Sequence, residues 1–259
     1  MPDETGSVSF EFIGRIESPF DEKFLIPRQP GLVPIRAKLI FYPPFNEAIA
    51  FDGLESVSHL WLQFVFDGHK AAKTSNELRV RPPRFGGNKK VGVFATRSSF
   101  RPNPLGLSLV KLLSVERKGN TAVLWLEGVD CLNGTQVIDI KPYLPYTDID
   151  LEAMNVFANE APVEDALIVS WSSEAIADLE QLQATGYFLR QDLFDCMTAY
   201  KSALQALIEL DPRPSYHASQ SGLSREYGVS FSGLNITFRC QDKQACVTAC
   251  HDESFVSKV

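Results

Sequence analysis

Between Leu78 and Val115 the 259-residue chain has no aspartate and no glutamate, although it carries 32 acidic residues in all and a net charge of −7. A negative total excludes a generic nucleic-acid binder. The acid-free stretch points the other way, because it gathers eight of the 25 basic residues: Arg79, Arg81, Arg84, Lys89, Lys90, Arg97, Arg101 and Lys111. These are interleaved with Pro, Gly and Phe rather than with Glu partners, which favours an anion-docking zone over a solvated loop face. Other absences narrow the class further. No run approaches the ~20 apolar residues of a membrane span, and the acidic start "MPDETGSVSFEF" lacks the apolar core of a secretory signal. The five cysteines are few for a chain of this size and read as reduced thiols of a cytoplasmic protein. The four histidines do not cluster at ligand spacing, and "CQDKQACVTACH" lacks paired C-x-x-C knuckles, so no metal is expected. The glycine patterns of Rossmann and P-loop nucleotide sites and the G-x-S-x-G elbow are missing as well.

What is present is a series of short apolar runs. "VSFEFIGRI" (8–16) alternates with period two, and "SHLWLQFVFD", "VGVFAT", "LSLVKLLSV" and "TAVLWLEGV" follow, with Asn133-Gly134 as a tight hairpin pair. Runs this short, with no helical crossovers between them, predict an antiparallel β-barrel or sandwich, a first domain over residues 1–150. Residues 151–162 read as a linker. Residues 163–259 read as a small α+β domain: a strand in "EDALIVSWS", helices in "SEAIADLEQLQ" and "RQDLFDCMTAYKSALQALIEL", and hairpin strands near the end. In the second helix Leu193, Met197, Tyr200, Leu204 and Leu207 share one face, a core stripe.

Three segments combine arginine with proline and glycine: "IPRQPGLV", "VRPPRFGGNKKVG" and "ATRSSFRPNPLG". Proline keeps such a loop stiff and out of the sheet. Arginine offers a planar fork for carboxylate or phosphate. Several arginines on stiff loops repel one another until an anion arrives, so the loops are expected to form one pocket wall; the alternative is a set of barrel corners whose arginines only cap carbonyls.

The motifs "PRQPGL", "RPPR", "GVFATRSSFRPNPLGLSLVKL", "GVDCLNGTQVIDIKPYLPY" and "DPRPSY" resemble, in order and over most of the chain, the TrmO family, also called TsaA-like or YaeB-like proteins. The resemblance implies an S-adenosyl-L-methionine-dependent tRNA methyltransferase that acts on N6 of threonylcarbamoyl-adenosine at position 37, beside the anticodon. It also implies a single β-barrel unlike Rossmann-type methyltransferases, and a homodimer with the cofactor near the subunit interface. Carried over by motif, the cofactor-binding positions are Pro27, Arg28, Gln29, Asp67, Gly68, Arg97, Leu105, Leu107, Asp130, Cys131, Leu132, Asn133 and Gly134. The family places a histidine directly after "FVF"; here Asp67 and Gly68 stand there and the histidine is His69.

The acceptor nitrogen must be held in line with the sulfonium methyl, and positioning of this kind supplies about 7–11 kcal/mol. Asp139 and Tyr143, with Arg97, are the candidate catalytic residues; Asp139 has the alternative of anchoring Arg101 or Lys141. Arg84, Lys89, Lys90, Arg101 and Arg213 are the candidates for the RNA, the anticodon stem-loop being the expected partner. Phe85 and Phe100 could stack on a base or pack in the barrel. The rival reading is an adenosylmethionine-sensing RNA-binding or regulatory module without catalysis.

Overall fold

The computed structural model describes residue 6 and residues 8–66, 78–82, 90–155, 166–218, 220 and 222–252. Its first half contains the strands β1 (Gly14–Glu17), β2 (Arg36–Phe41), β3 (His59–Val65), β4 (Arg79–Val80), β5 (Val91–Gly92), β6 (Leu105–Lys118), β7 (Thr121–Glu127) and β8 (Gln136–Pro142), then the single-turn helix α1 (Pro145–Asp148). Six of these strands close a barrel in the order β1-β2-β7-β6-β3-β8, and β4 and β5 form a separate hairpin. Period-two patterning makes the barrel: Leu60, Leu62 and Phe64 of β3, Val110 and Leu112 of β6, and Ala122, Leu124 and Leu126 of β7 are all buried.

The second half adds β9 (Ile168–Trp171), α2 (Ser173–Ala184), α3 (Met197–Glu209), α4 (Ser215–Ala218), β10 (Arg225–Phe231), β11 (Leu234–Gln241) and β12 (Gln244–Asp252). The sheet order is β10-β11-β12-β9, with β9 parallel to β12. Ser172 caps α2 by accepting the Ala175 N–H. The apolar stripe of α3 buries Tyr200, Leu204, Leu207 and Ile208 in a core continuous with that of the barrel. The seam is polar as well as apolar. Phe20 bridges Phe231, Ser230 N–H donates to Glu22, and the amine of the buried Lys38 reaches Asp192 at 2.6 Å while lying over the Trp125 ring.

Four sequence readings change. Residues 8–13 are not a ladder strand: Val8, Phe10 and Phe12 are exposed, and β1 begins only at Gly14, where pairing to both β2 and β8 becomes available. "VGVFAT" is not a barrel strand; β5 ends after two residues and a 3-10 turn follows, closed by Thr96 N–H on the Val93 carbonyl. The helix expected from Arg190 begins only at Met197, because Asp192 is drawn to Lys38 and Phe194 turns into the core; Leu193 therefore precedes the helical stripe. The Asn133-Gly134 turn forms, with Thr135 N–H on Leu132 O, but β8 after it pairs with β1 and β3, so the turn does not close a two-strand hairpin.

Candidate functional site

Two loops and one turn meet at the barrel mouth around a cavity of about 750 Å³. The first loop contributes Pro27, Arg28 and Gln29, the second Thr96, Arg97 and Arg101, and the turn after β7 contributes Asp130, Cys131 and Leu132. Phe64, Phe66, Leu105, Gly106, Leu107 and Ser108 complete the wall. Gly106 is required at its place, because a Cβ there would run into the Phe64 ring.

Hydrogen bonds within and between the loops set their shape. Arg97 NH1 donates to Gln29 Oε1 at 2.7 Å, and Gln29 Nε2 donates to the Arg28 carbonyl at 2.5 Å. Arg28 reaches out of the barrel to the Asp211 carbonyl at 3.3 Å. Inside the second loop Thr96 Oγ1 donates to Val93 O and accepts from Ser98 N–H, while Ser98 Oγ accepts from Phe100 N–H. Arg101 NH1 donates to the carbonyls of Thr96 and Ser98. Arg101 therefore braces its own loop while lining the cavity. Phe100 is exposed, 57 % accessible, so it does not pack inside the barrel.

Asp130 is half-buried, and burial raises its carboxyl above the ordinary aspartate value of 3.8; the Ser108 hydroxyl, its own backbone amide and the charge of Arg97 oppose that rise. Ser108 Oγ donates to Asp130 Oδ1 at 2.5 Å. Ser108 is 2 % exposed and was not among the sequence candidates. Its signal was available: in "LGLSLVKL" it is a hydroxyl on the parity that points into the barrel. Trp61 and Thr96 were missed too.

Of the expected cofactor positions, Pro27, Arg28, Gln29, Arg97, Leu105, Leu107, Asp130, Cys131 and Leu132 share this cavity. Asn133 and Gly134 do not; they line a second groove against Arg190, Asp192 and Ser232, because the turn swings them toward the second half. Asp139 and Tyr143 are also outside the cavity wall. Asp139 accepts from Lys141 Nζ and from Ile140 N–H, so it is held by its neighbours on β8. Tyr143 packs against the His59 and Trp61 rings, one ring removed from the cavity. Arg213, expected to face RNA, is 7 % exposed, its Nε and NH2 both held by Asp211 in one planar contact. Lys90 is exposed away from the cavity wall, its carbonyl accepting from Arg79. Asp67, Gly68, His69, Arg84, Phe85 and Lys89 lie outside the described residues, as does the side chain of Tyr216.

The chain matches the sequence models of the tRNA-methyltransferase O N-terminal domain over residues 15–149 and of the TrmO C-terminal domain over residues 164–253. The chain belongs to the TrmO family. Relatives of this TrmO chain include a putative S-adenosylmethionine-dependent methyltransferase RcsF of Pseudomonas aeruginosa, 43% identical over 225 residues, covering 86% of this chain and 89% of that protein. A tRNA (adenine(37)-N6)-methyltransferase of Escherichia coli (strain K12) is 39% identical over 237 residues, 91% of this chain and 94% of that protein. The crystal structure of TrmO from Pseudomonas aeruginosa superposes with a TM-score of 0.70 at 34% identity, covering 94% of this chain and 98% of that one. The mainly β architecture with a closed six-stranded barrel is thus shared with a solved TrmO structure.

The cavity fits S-adenosyl-L-methionine by size and by donor set. Ligand pockets commonly span about 300–1,000 Å³. Arginine forks suit the methionine carboxylate, and Phe64, Phe66, Leu105 and Leu107 suit the adenine faces. Among the described residues no group of three or more His, Cys, Asp or Glu could hold a metal ion, and no helix is long and apolar enough to cross a membrane.

Proposed function

We propose that this TrmO chain methylates N6 of adenine 37 in tRNA from S-adenosyl-L-methionine, and that the acceptor is threonylcarbamoyl-adenosine. The observation that carries this reading is the convergence of Arg28, Arg97 and Arg101 with Asp130 on one cavity. The coarser activity is that of the named relatives; the threonylcarbamoyl group is supported by the surplus of cationic groups. One arginine suffices for the methionine carboxylate, and a threonyl carboxylate accounts for a second.

When bound, S-adenosyl-L-methionine supplies an electrophilic methyl on a sulfonium. The residues of the chain position the reactants. Arg28 and Arg97 hold carboxylates, with Gln29 fixing the angle of the Arg97 fork. Phe64 and Phe66, whose ring centroids lie 5.2 Å apart, offer an apolar surface to a purine and keep water from that side. The exposed Arg79, Arg81 and Lys90 lie on the flanking segments and meet anticodon-loop phosphates.

A second copy is proposed to cover the outer face of β3 and β6. There Leu105 and Leu107 are 47 % and 55 % exposed opposite Val65 and Gln63, an apolar strip beside the cavity mouth. None of the five cysteines is in a disulfide, which suits a reducing cytoplasm. Residues 1–150 form the catalytic unit in this reading, and residues 163–259 support the tRNA.

Incubation with labelled S-adenosyl-L-methionine and total tRNA from cells with and without threonylcarbamoylation tests the proposal. Label is expected only in the modified tRNA. Label in both removes the threonylcarbamoyl requirement. Label in neither, with the donor still bound, turns the protein into a sensor. Light scattering checks the dimer.

A further inference from the structure

Among the described residues lining the cavity, Asp130 is the one carboxylate. It is also placed with care. Val129 on one side is fully buried and Cys131 on the other is 2 % exposed, so the backbone at 130 is held from both ends. Ser108 stands on the inner face of β6, opposite Leu62 and two residues from Val110, in an apolar interior. A buried hydroxyl needs an acceptor, and this one has Asp130 Oδ1 at 2.5 Å. No other side chain donates to Asp130 in the described residues, so an edge of the carboxylate is left toward the cavity.

Resting on the methyl-transfer reading above, we propose that Asp130 is the catalytic base that takes the N6 proton, and that Ser108 is the residue that positions it. The acceptor nitrogen forms its bond to the methyl carbon, and the methyl–sulfur bond gives its electron pair to sulfur. The N6–H pair stays on nitrogen, and the proton passes to the Asp130 carboxylate. No further reactant is required. The environment suits the task in both directions. Burial raises the carboxyl and favours the protonated product form, while the Ser108 hydrogen bond, the backbone amide and the Arg97 charge oppose that rise. The charged groups that share the cavity with Asp130 are Arg97 and Arg101 from the second loop and Arg28 and Lys23 from the first, all cationic, with the Cys131 thiol adjacent in the chain. Asp139 does not compete for the role, being tied to Lys141 outside the wall.

The test uses the full chain, S-adenosyl-L-methionine and threonylcarbamoylated tRNA. Calorimetry measures donor affinity, and single-turnover transfer is followed as a function of pH. Asp130→Asn keeps the shape and still accepts from Ser108. It is expected to bind the donor within about threefold of the native protein and to transfer about 100-fold or more slowly. Ser108→Ala removes a hydrogen bond that lowers and orients the carboxyl, so its acid limb moves to higher pH and its plateau rate falls, though less than in Asp130→Asn. A loss of transfer under tenfold in Asp130→Asn overturns the proposal; so does a loss of donor affinity above tenfold, which makes Asp130 a cofactor ligand instead. An unmoved acid limb in Ser108→Ala overturns the positioning role. Absence of transfer by the native chain removes the methyl-transfer reading, and the base with it, and is seen without any variant.

Discussion

The cavity loops of the barrel half and the core of the second half treat their polar side chains in opposite ways. In the barrel half, the side chains that matter stop at the mouth: Arg28 and Arg97 are exposed, Asp130 is half-buried, and the loops that carry them are braced by bonds to their own backbone. In the core of the second half, Tyr200 and Arg213 are drawn inward and held by structure. Tyr200 is fully buried with its hydroxyl on the Phe231 carbonyl at 3.0 Å, and Arg213 is sealed against Asp211. Rings surround Tyr200 on three sides, with Phe194, Phe188 and Phe231 at centroid distances of 5.3–5.5 Å. One arrangement fixes backbone, and the other leaves cationic groups at the cavity wall. Among the contacts between the two halves is the Arg28 hydrogen bond to the Asp211 carbonyl, which anchors a cavity-lining loop to the second half.

Variants that separate stability from activity test this division. Tyr200→Ala should cost the most, about 3–5 kcal/mol of unfolding free energy by denaturant titration, from the cavity left among the rings; Tyr200→Phe should lose only about 1 kcal/mol, from the unpaired carbonyl. Arg97→Ala should lower transfer roughly 100-fold with an unchanged melting temperature, since it acts on placement of the reactants and not on the core. A protein that unfolds instead returns Arg97 to the role of a corner cap. Arg213→Ala should lose about 2 kcal/mol by the same titration and also weaken donor binding through Arg28; a stability loss with donor affinity intact would separate the two halves.

Asp130 gives a smaller effect, with its sign fixed by burial. Its folded carboxyl titrates above the unfolded value of 3.8, so ionisation destabilises the fold. Asp130→Asn should therefore melt higher than the native chain at neutral pH. The gap should shrink as pH falls through the raised folded value and close below the unfolded one. Smallest of all is Asp192→Ala. Its carboxylate is held below the ordinary value chiefly by the hydrogen bond from Lys38, but its side chain is 75 % exposed. The loss should stay under about 1 kcal/mol, present near neutrality and fading as pH drops through the lowered carboxylate range.

Much of the barrel was legible because alternation is a local signal: β3 and β7 bury every second residue as their sequences suggest. The errors fell where distant contacts decide. The apolar Val8, Phe10 and Phe12 have the parity of a strand without the paired neighbours that make one. The start of α3 was misplaced because Lys38, more than 150 positions away, captures Asp192. At the site, "PRQ", "ATRS" and "VDCL" named loops that do converge, since stiff Pro-Arg segments have few alternatives to standing at the mouth. Asp139 misled because its motif says nothing of which face of β8 it occupies. The parity of Ser108 already places a hydroxyl in the barrel interior, but its acceptor, Asp130, is a long-range contact that the strand itself does not show.

Gly128 has φ +83 and its carbonyl accepts the Gly31 N–H at 2.8 Å, with the Gly31 Cα 3.1 Å from where a side chain at 128 would begin. That link ties the arginine-bearing first loop to the segment that presents Asp130, two residues on. The span between cation and carboxylate is thereby a fixed ruler, set by main chain on both sides. A methyl group added at 128 would lengthen the ruler and mimic a damaged binding site, although neither glycine has any chemistry of its own to lose.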